Sequence, residues 1–198
     1  MLLCGGIGFS QQEKLELQKG NKEHKSDRFQ NAITHYDSAI SINSSYFYGQ
    51  FNSGNSYFRI SQATKDSLKV DYAEKAAERF ESAIMSTDNI GQISYGHYNH
   101  GNCYLSIGQI KESIESYKNA LRANPNNEQA RYNLSYALLL QKAQEEAMKD
   151  IQKQIDSLQN EIDKTEEEKK ENESSSKPQQ QKEQKKSELE KKQEELER

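Results

Sequence analysis

Three side chains in one short run carry the ligand types that zinc takes: His97, His100 and Cys103, spaced H-x2-H-x2-C within "GHYNHGNCYL". A zinc site needs about four such ligands, each oriented by an outer partner. On a helix, residues three apart step round the axis, so these three fan over about 120°. No fourth ligand stands nearby, and the other cysteine, Cys4, lies 99 positions away. No metal site is expected. Catalysis finds no better footing. There is no glycine-rich phosphate loop and no nucleophile elbow. The carboxylates lie on polar faces and in the tail, where solvation explains them. No catalytic residue and no cofactor is assigned, and the N-x-S sequons at Asn43, Asn133 and Asn172 are what a Ser/Asn-rich sequence holds by chance. Recognition chemistry is left to a set of asparagines, each offering two donors and an acceptor pair: Asn21, Asn52, Asn55, Asn99, Asn102 and Asn133.

These asparagines recur with a phrase. "FNSGNSYF" at Phe51 to Phe58 is echoed by "YNHGNCYL" at Tyr98 to Leu105. Gly20 to Gly54 is 34 residues and Gly101 to Ser135 is 34 again, whereas Gly54 to Gly101 is 47. A second phrase follows each glycine: "NAITHYDSAI", "KAAERFESAI" and "ESIESYKNAL". Each sets a small residue, an aromatic four on, and an alanine three further. The triads are Ala32-Tyr36-Ala39, Ala76-Phe80-Ala83 and Ser113-Tyr117-Ala120. Such spacing puts all three on one face of a helix. The long interval is explained by ten extra residues around "ISQATKDSLKV", read as a loop between two helices, and three more after Ile84.

A helix-turn-helix period of about 34 residues with W-x2-L-G-x2-Y, A-x3-F and a late proline is the tetratricopeptide (TPR) pattern. The protein resembles that family. Gly101 with Tyr104, the Ser113-x3-Tyr117 pair and "NPNN" with Pro125 form the fullest copy, and Gly54 with Tyr57 forms another. His97 and His100 stand where the pattern has Trp and Leu. The expected fold is an all-α solenoid of helical hairpins. Its repeats lie at about 13–45, 46–90 and 93–127, with a capping helix from 127, in an array over 11–141. The expected packing residues are Gly20, Ala32, Tyr36, Ala39, Gly54, Tyr57, Ala76, Phe80, Ala83, Gly101, Tyr104, Tyr117, Ala120 and Pro125. The resemblance implies that residues flanking each glycine face a concave peptide-binding groove. Candidates are Asn21, Phe51, Asn52, Asn55, Tyr98, Asn99, Asn102, Tyr132 and Asn133, with Leu17 and Tyr136 beside them. The alternative is that the asparagines tie helices together and bind nothing. Chaperone-binding members hold a terminal carboxylate with several basic residues. Only Lys14, Lys25 and Arg59 are available here, so that clamp is poorly matched.

Composition splits the sequence in two. Hydrophobic residues make up 32%, below the roughly 45–50% usual in globular proteins, so part of it has no core of its own. Residues from Gln141 onward hold 13 Lys and Arg against 17 Asp and Glu, and the whole net charge of −4 lies there. No basic footprint for nucleic acid exists, and no apolar run is long enough to span a membrane. Met148, Ile151, Ile155, Leu158 and Ile162 form an a/d seam over about two heptads. The stretch 142–173 is read as an extended charged helix whose seam either stands alone or meets a partner protein, which would give weak self-association. The stretch 174–198 is read as a low-complexity tail, broken at "SSSKPQQQ" by Pro178, with Leu189 and Leu196 seven apart. Residues 1–10, "MLLCGGIGFS", look like the end of a secretory signal peptide with Gly8-Phe9-Ser10 as a small-x-small cleavage site. Leu3 before Cys4 argues against lipidation. An extracytoplasmic, periplasmic location follows from that reading, and a cytoplasmic one without it.

The signal-like start, the Gly-Asn turns and "ARYNLSYALLLQK" running into a Lys/Glu/Gln-rich tail together resemble the BatC-type TPR protein of Bacteroides aerotolerance (Bat) operons. That resemblance implies a non-enzymatic adaptor in an envelope complex with von Willebrand factor A-domain membrane proteins, under oxidative stress. The alternative is a structural oligomerisation protein acting through the coiled-coil-like tail helix.

Overall fold

Each pair of phrases folds as a helical hairpin. The computed structural model describes residues 9–65, 67–171 and 177–197. The helices among them are α1 Phe9–Lys25, α2 Phe29–Ile42, α3 Phe47–Ala63, α4 Ser67–Met85, α5 Ile90–Ser106, α6 Ile110–Ala123, α7 Glu128–Glu171 and α8 Lys177–Glu197. They fall into two units, residues 1–139 and 140–198. The signal-like stretch with Cys4 lies outside the described residues, apart from the backbone of Phe9 and Ser10, which belongs to α1.

In the first unit the triads form the spine of the core, with Ile33, Phe47, Ala73, Ala77, Cys103, Ile114, Ala130 and Ala137 around them. Ala32, Ala39, Ala76, Phe80, Ala83, Tyr117 and Ala120 are fully buried and Tyr36 nearly so. The glycines exist to admit the aromatic rings. A Cβ on Gly20 would lie 2.5 Å from Tyr36 Cε1, and one on Gly101 2.6 Å from Tyr117 Cε1. Both are closer than carbon atoms pack, so the ring of the second helix rests directly on the backbone of the first. A second row of small residues sits five positions before the glycines. Gly49 receives Ile40 and Gly96 receives Ile84 from the preceding repeat, and Ala130 in α7 is fully buried. One row closes each hairpin and the other stacks it on its predecessor.

The hairpin turns follow from the backbone. Gly108 (φ 78°) and Asp27 (φ 55°) each lie seven residues after a repeat glycine, in left-handed conformation. Gly108 N–H bonds Leu105 C=O and Gln109 N–H bonds Tyr104 C=O, while Asp27 and Arg28 repeat this to His24 and Glu23. These paired bonds satisfy the last carbonyls of α1 and α5, as in a Schellman closure. The ten-residue insertion is not a loop. Relative to their counterparts, α3 runs four residues further and α4 starts six earlier, which absorbs all ten in helix. The extra residues after Ile84 lengthen the start of α5, where Asn89 caps the helix by accepting from Gln92 N–H at 3.1 Å. At "NPNN", Asn124 Oδ1 accepts from Asn126 N–H across Pro125. Asn127 Oδ1 caps α7 through Ala130 N–H, and its Nδ2 donates to buried Ser94 Oγ.

Layering sets the curvature. α1 touches α3 and α3 touches α5, whereas α2 and α4 meet through the Arg79–Asp37 ion pair at 2.8 Å. First helices therefore crowd together on the inner side and second helices splay outward.

In the second unit, Ile155, Ile162 and Leu189 are buried together, with Ile151 and Leu158 against them. Lys185 Nζ meets Glu161 Oε2 at 2.9 Å beside this cluster. The seam left open by the sequence is thus occupied by α8 of the same molecule. Pro178 sits in the first turn of α8, where the missing N–H and fixed φ of proline cost nothing.

Candidate functional site

The inner wall is built from the first helices, and its polar residues form a ladder. Asn21 Oδ1 accepts from Tyr36 Oη and from Asn52 Nδ2, both at 2.9 Å. In the third repeat the same trio recurs: Asn102 Oδ1 accepts from Tyr117 Oη and from Asn133 Nδ2, both at 2.8 Å. Each tyrosine hydroxyl fixes the asparagine amide one residue after a glycine. The held amide then ties the next helix of the inner wall through the asparagine two residues before Gly54 or Ser135. Burial pushes the Tyr36 phenol up to about 12 and raises Tyr117 likewise, so both hydroxyls stay donors at neutral pH.

At the middle joint Phe80 takes the tyrosine's place and the ladder is interrupted. The Asn55 side chain makes no hydrogen bond within the described residues, and Asn99 Nδ2 turns back to Tyr95 C=O of its own helix at 3.0 Å. Asn55 opens into a recess of about 130 Å³ lined also by Asn21, His24, Lys25, Tyr36 and Asn52.

Of the nine groove candidates, the structure engages Asn21, Asn52, Asn102 and Asn133 in these ties. Phe51 is half-buried against Phe80 and Phe47, and Tyr98 against Tyr117. Tyr132 faces outward, and half-buried Asn55 lines the recess with its amide unbonded. The aromatic residues the sequence reading passed over are Tyr48 and Tyr95, each six before a repeat glycine. They are 49% and 52% exposed, beside Tyr132 at 74% and Tyr136 at 48%. Their signal was a repeat of one residue type at one register position. Among the basic candidates, Arg59 lies over the Phe29 ring at 5.5 Å and 4.0 Å from Asp27. Lys25 lines the recess, and Lys14 is exposed on α1. Of the remaining packing residues, half-buried Tyr57 stacks on Tyr72 and Tyr104 meets His100 edge-on.

His97 and His100 line one cavity with Glu81, Glu112 and Glu115, while Cys103 points away from them into the core. Cys103 is buried with Ala76, Ala77 and Phe80, and burial raises its thiol. His100 Nδ1 pairs with Ser116 Oγ at 3.0 Å. Burial, with a smaller push from His97, lowers the His100 imidazole to about 4 from its usual 6.5. The unfolded protein therefore takes up a proton that the folded protein refuses between those values. Stability is present in full above about pH 6.5 and is lost as pH falls towards 4, by about 2–3 kcal/mol. His100→Gln, which keeps a partner for Ser116 but does not titrate, is expected to flatten this part of the urea-midpoint profile between pH 7 and 4.5. Equal slopes for both proteins would refute the assignment.

Residues 101–142 match the family model described as TPR repeat. No curated protein matches the sequence. Among solved structures, this one is similar to the first TPR of Spaghetti (RPAP3) bound to the HSP90 peptide SRMEEVD. That match has a TM-score of 0.57 at 19% identity and covers 67% of this protein and 95% of that one. It is similar to the second TPR domain of human RPAP3 in complex with the HSP70 peptide SGPTIEEVD, with a TM-score of 0.56 at 22% identity, covering 66% and 98%. It is also similar to the TPR2AB domain of yeast Sti1 in a pHSP90 complex, with a TM-score of 0.56 at 22% identity, covering 76% and 58%. The fold is thus the tetratricopeptide solenoid of helical hairpins.

Proposed function

We propose that the array is a non-catalytic protein–protein interaction adaptor whose inner wall holds an extended segment of a partner protein. The observation that carries this reading is the exposure of Tyr48, Tyr95, Tyr132 and Tyr136 on the first helices and α7. None of these rings is needed to fill the core, and aromatic side chains supply contact area at low conformational cost. The peptides bound by the RPAP3 repeats support a groove of this kind. They carry acidic ends, however, while the exposed rows here are aromatic and uncharged.

The partner complex we favour is of the Bat-operon type, outside the cytoplasm and including von Willebrand factor A-domain membrane proteins. The Gly-Asn turns and the passage from "ARYNLSYALLLQK" into a Lys/Glu/Gln-rich tail support it. Oligomerisation through the tail is the weaker reading, because the seam from Ile151 to Ile162 meets Leu189 of its own molecule. To test the adaptor, the immobilised protein is exposed to detergent-extracted native envelope beside its Tyr95→Ala/Tyr132→Ala variant. Recovery of a von Willebrand factor A-domain protein is expected to drop at least about tenfold with the variant, as for loss of paired aromatic anchors. Equal recovery from both would defeat the reading.

A further inference from the structure

The asparagine–tyrosine ladder runs through the first and third joints and skips the second, and the cause is one missing oxygen atom. The Phe80 ring occupies the same seat as Tyr36 and Tyr117: its Cε1 is 3.0 Å from a Cβ built on Gly54, as theirs are 2.5 and 2.6 Å from Gly20 and Gly101. A hydroxyl on Phe80 would thus reach Asn55, as the other two reach Asn21 and Asn102. Without it, the Asn55 amide is neither oriented nor paired. Asn99, which its counterparts Asn52 and Asn133 show able to cross to the neighbouring helix, folds back onto Tyr95 C=O. A half-buried amide with a free donor and a free acceptor, open to the recess, complements the backbone carbonyl and N–H of one residue. Asn55 shares that recess with Asn21, His24, Lys25, Tyr36 and Asn52, and Tyr48 and Phe51 precede it on α3 as Tyr95 and Tyr98 precede Asn99 on α5.

Resting on the adaptor reading, we propose that the joint opened by Phe80 sets the register of the bound segment. Asn55 takes the backbone carbonyl and N–H of one residue of an extended partner, and the four aromatic rings take its apolar neighbours. The tied joints on either side are structural and bind no backbone. The array thus holds its ligand where its own ladder is incomplete.

The probe is a random decapeptide library displayed on phage and selected against the purified full-length protein. The enriched peptide is then titrated by fluorescence anisotropy against four proteins: the native one, Phe80→Tyr, Asn55→Ala and Tyr95→Ala/Tyr132→Ala. Phe80→Tyr is expected to raise the melting temperature, because it completes the ladder, and to weaken the peptide at least about tenfold. Asn55→Ala is expected to weaken it as much with the melting temperature unchanged. Native affinity in both single variants overturns the proposal. If the tyrosine pair variant has still lost the peptide, the groove survives without this site. A library that enriches nothing, or a peptide that binds all four proteins alike, overturns the groove as well. Should Phe80→Tyr melt lower than the native protein, Asn55→Ala alone decides.

Discussion

Tyr117→Ala is expected to destabilise the array by about 4 kcal/mol, within the range of buried aromatic truncations. The ring is fully buried between Ile114 and Ala137, with Tyr98 and Leu134 against it. Truncation leaves a cavity and also removes the hydroxyl that holds Asn102, so the tie from Asn102 to Asn133 loses its anchor. Repeat arrays draw their stability from neighbour contacts, and a domain has only about 5–15 kcal/mol in total. The third hairpin and the first turns of α7 are therefore expected to separate from the rest. Urea denaturation followed by circular dichroism checks this, with Tyr117→Phe as the control that removes only the hydroxyl, worth about 1 kcal/mol. A midpoint for Tyr117→Ala no lower than that of Tyr117→Phe would show that the ring does not hold the joint.

The second large effect separates three glycines with one role. In a helix interior, alanine is favoured over glycine by about 1 kcal/mol, and overpacking a tight core costs about 1–3 kcal/mol. A Cβ at Gly20 or Gly101 would stand 2.5 or 2.6 Å from a tyrosine carbon, against 3.0 Å from Phe80 at Gly54. The tyrosines are held by their hydroxyl bonds and cannot retreat, whereas Phe80 has no such tether. Gly20→Ala and Gly101→Ala are expected to lose about 2 kcal/mol each and Gly54→Ala to lie near neutral. Thermal melts of the three variants rank them, and a stabilised Gly101→Ala would contradict the close approach.

Much of this was legible in the residues, and the exceptions have physical causes. The glycine period and the small-aromatic-alanine triads marked the paired helices and about half of the apolar core of the first unit, because packing on a helix obeys a fixed spacing; Ile33, Phe47, Ala77, Cys103 and Ile114 lie outside the triads. The inserted residues of "ISQATKDSLKV" misled. Nothing in them forbids helix, and they extended α3 and α4 instead of forming a loop. The partner of the tail seam was not legible either, since Leu189 is a lone apolar residue in a charged run. In the candidate site, the sequence marked the asparagines but not their division of labour. Only the folded structure shows that Asn21 and Asn102 are bonded through tyrosines while Asn55 is not. The absent hydroxyl was nonetheless written in the Tyr36, Phe80, Tyr117 series, which the triads had already aligned.

The central claim, that the inner wall receives an extended segment, is tested most directly by recording backbone and asparagine side-chain amide NMR spectra of the protein with and without the selected decapeptide. Shifts are expected to be confined to α3, α5 and the start of α7, with the Asn55 side-chain amide moving most and those of Asn21 and Asn102 little. Shifts gathered instead on α2, α4 and α6, or on residues 140–198, would contradict it.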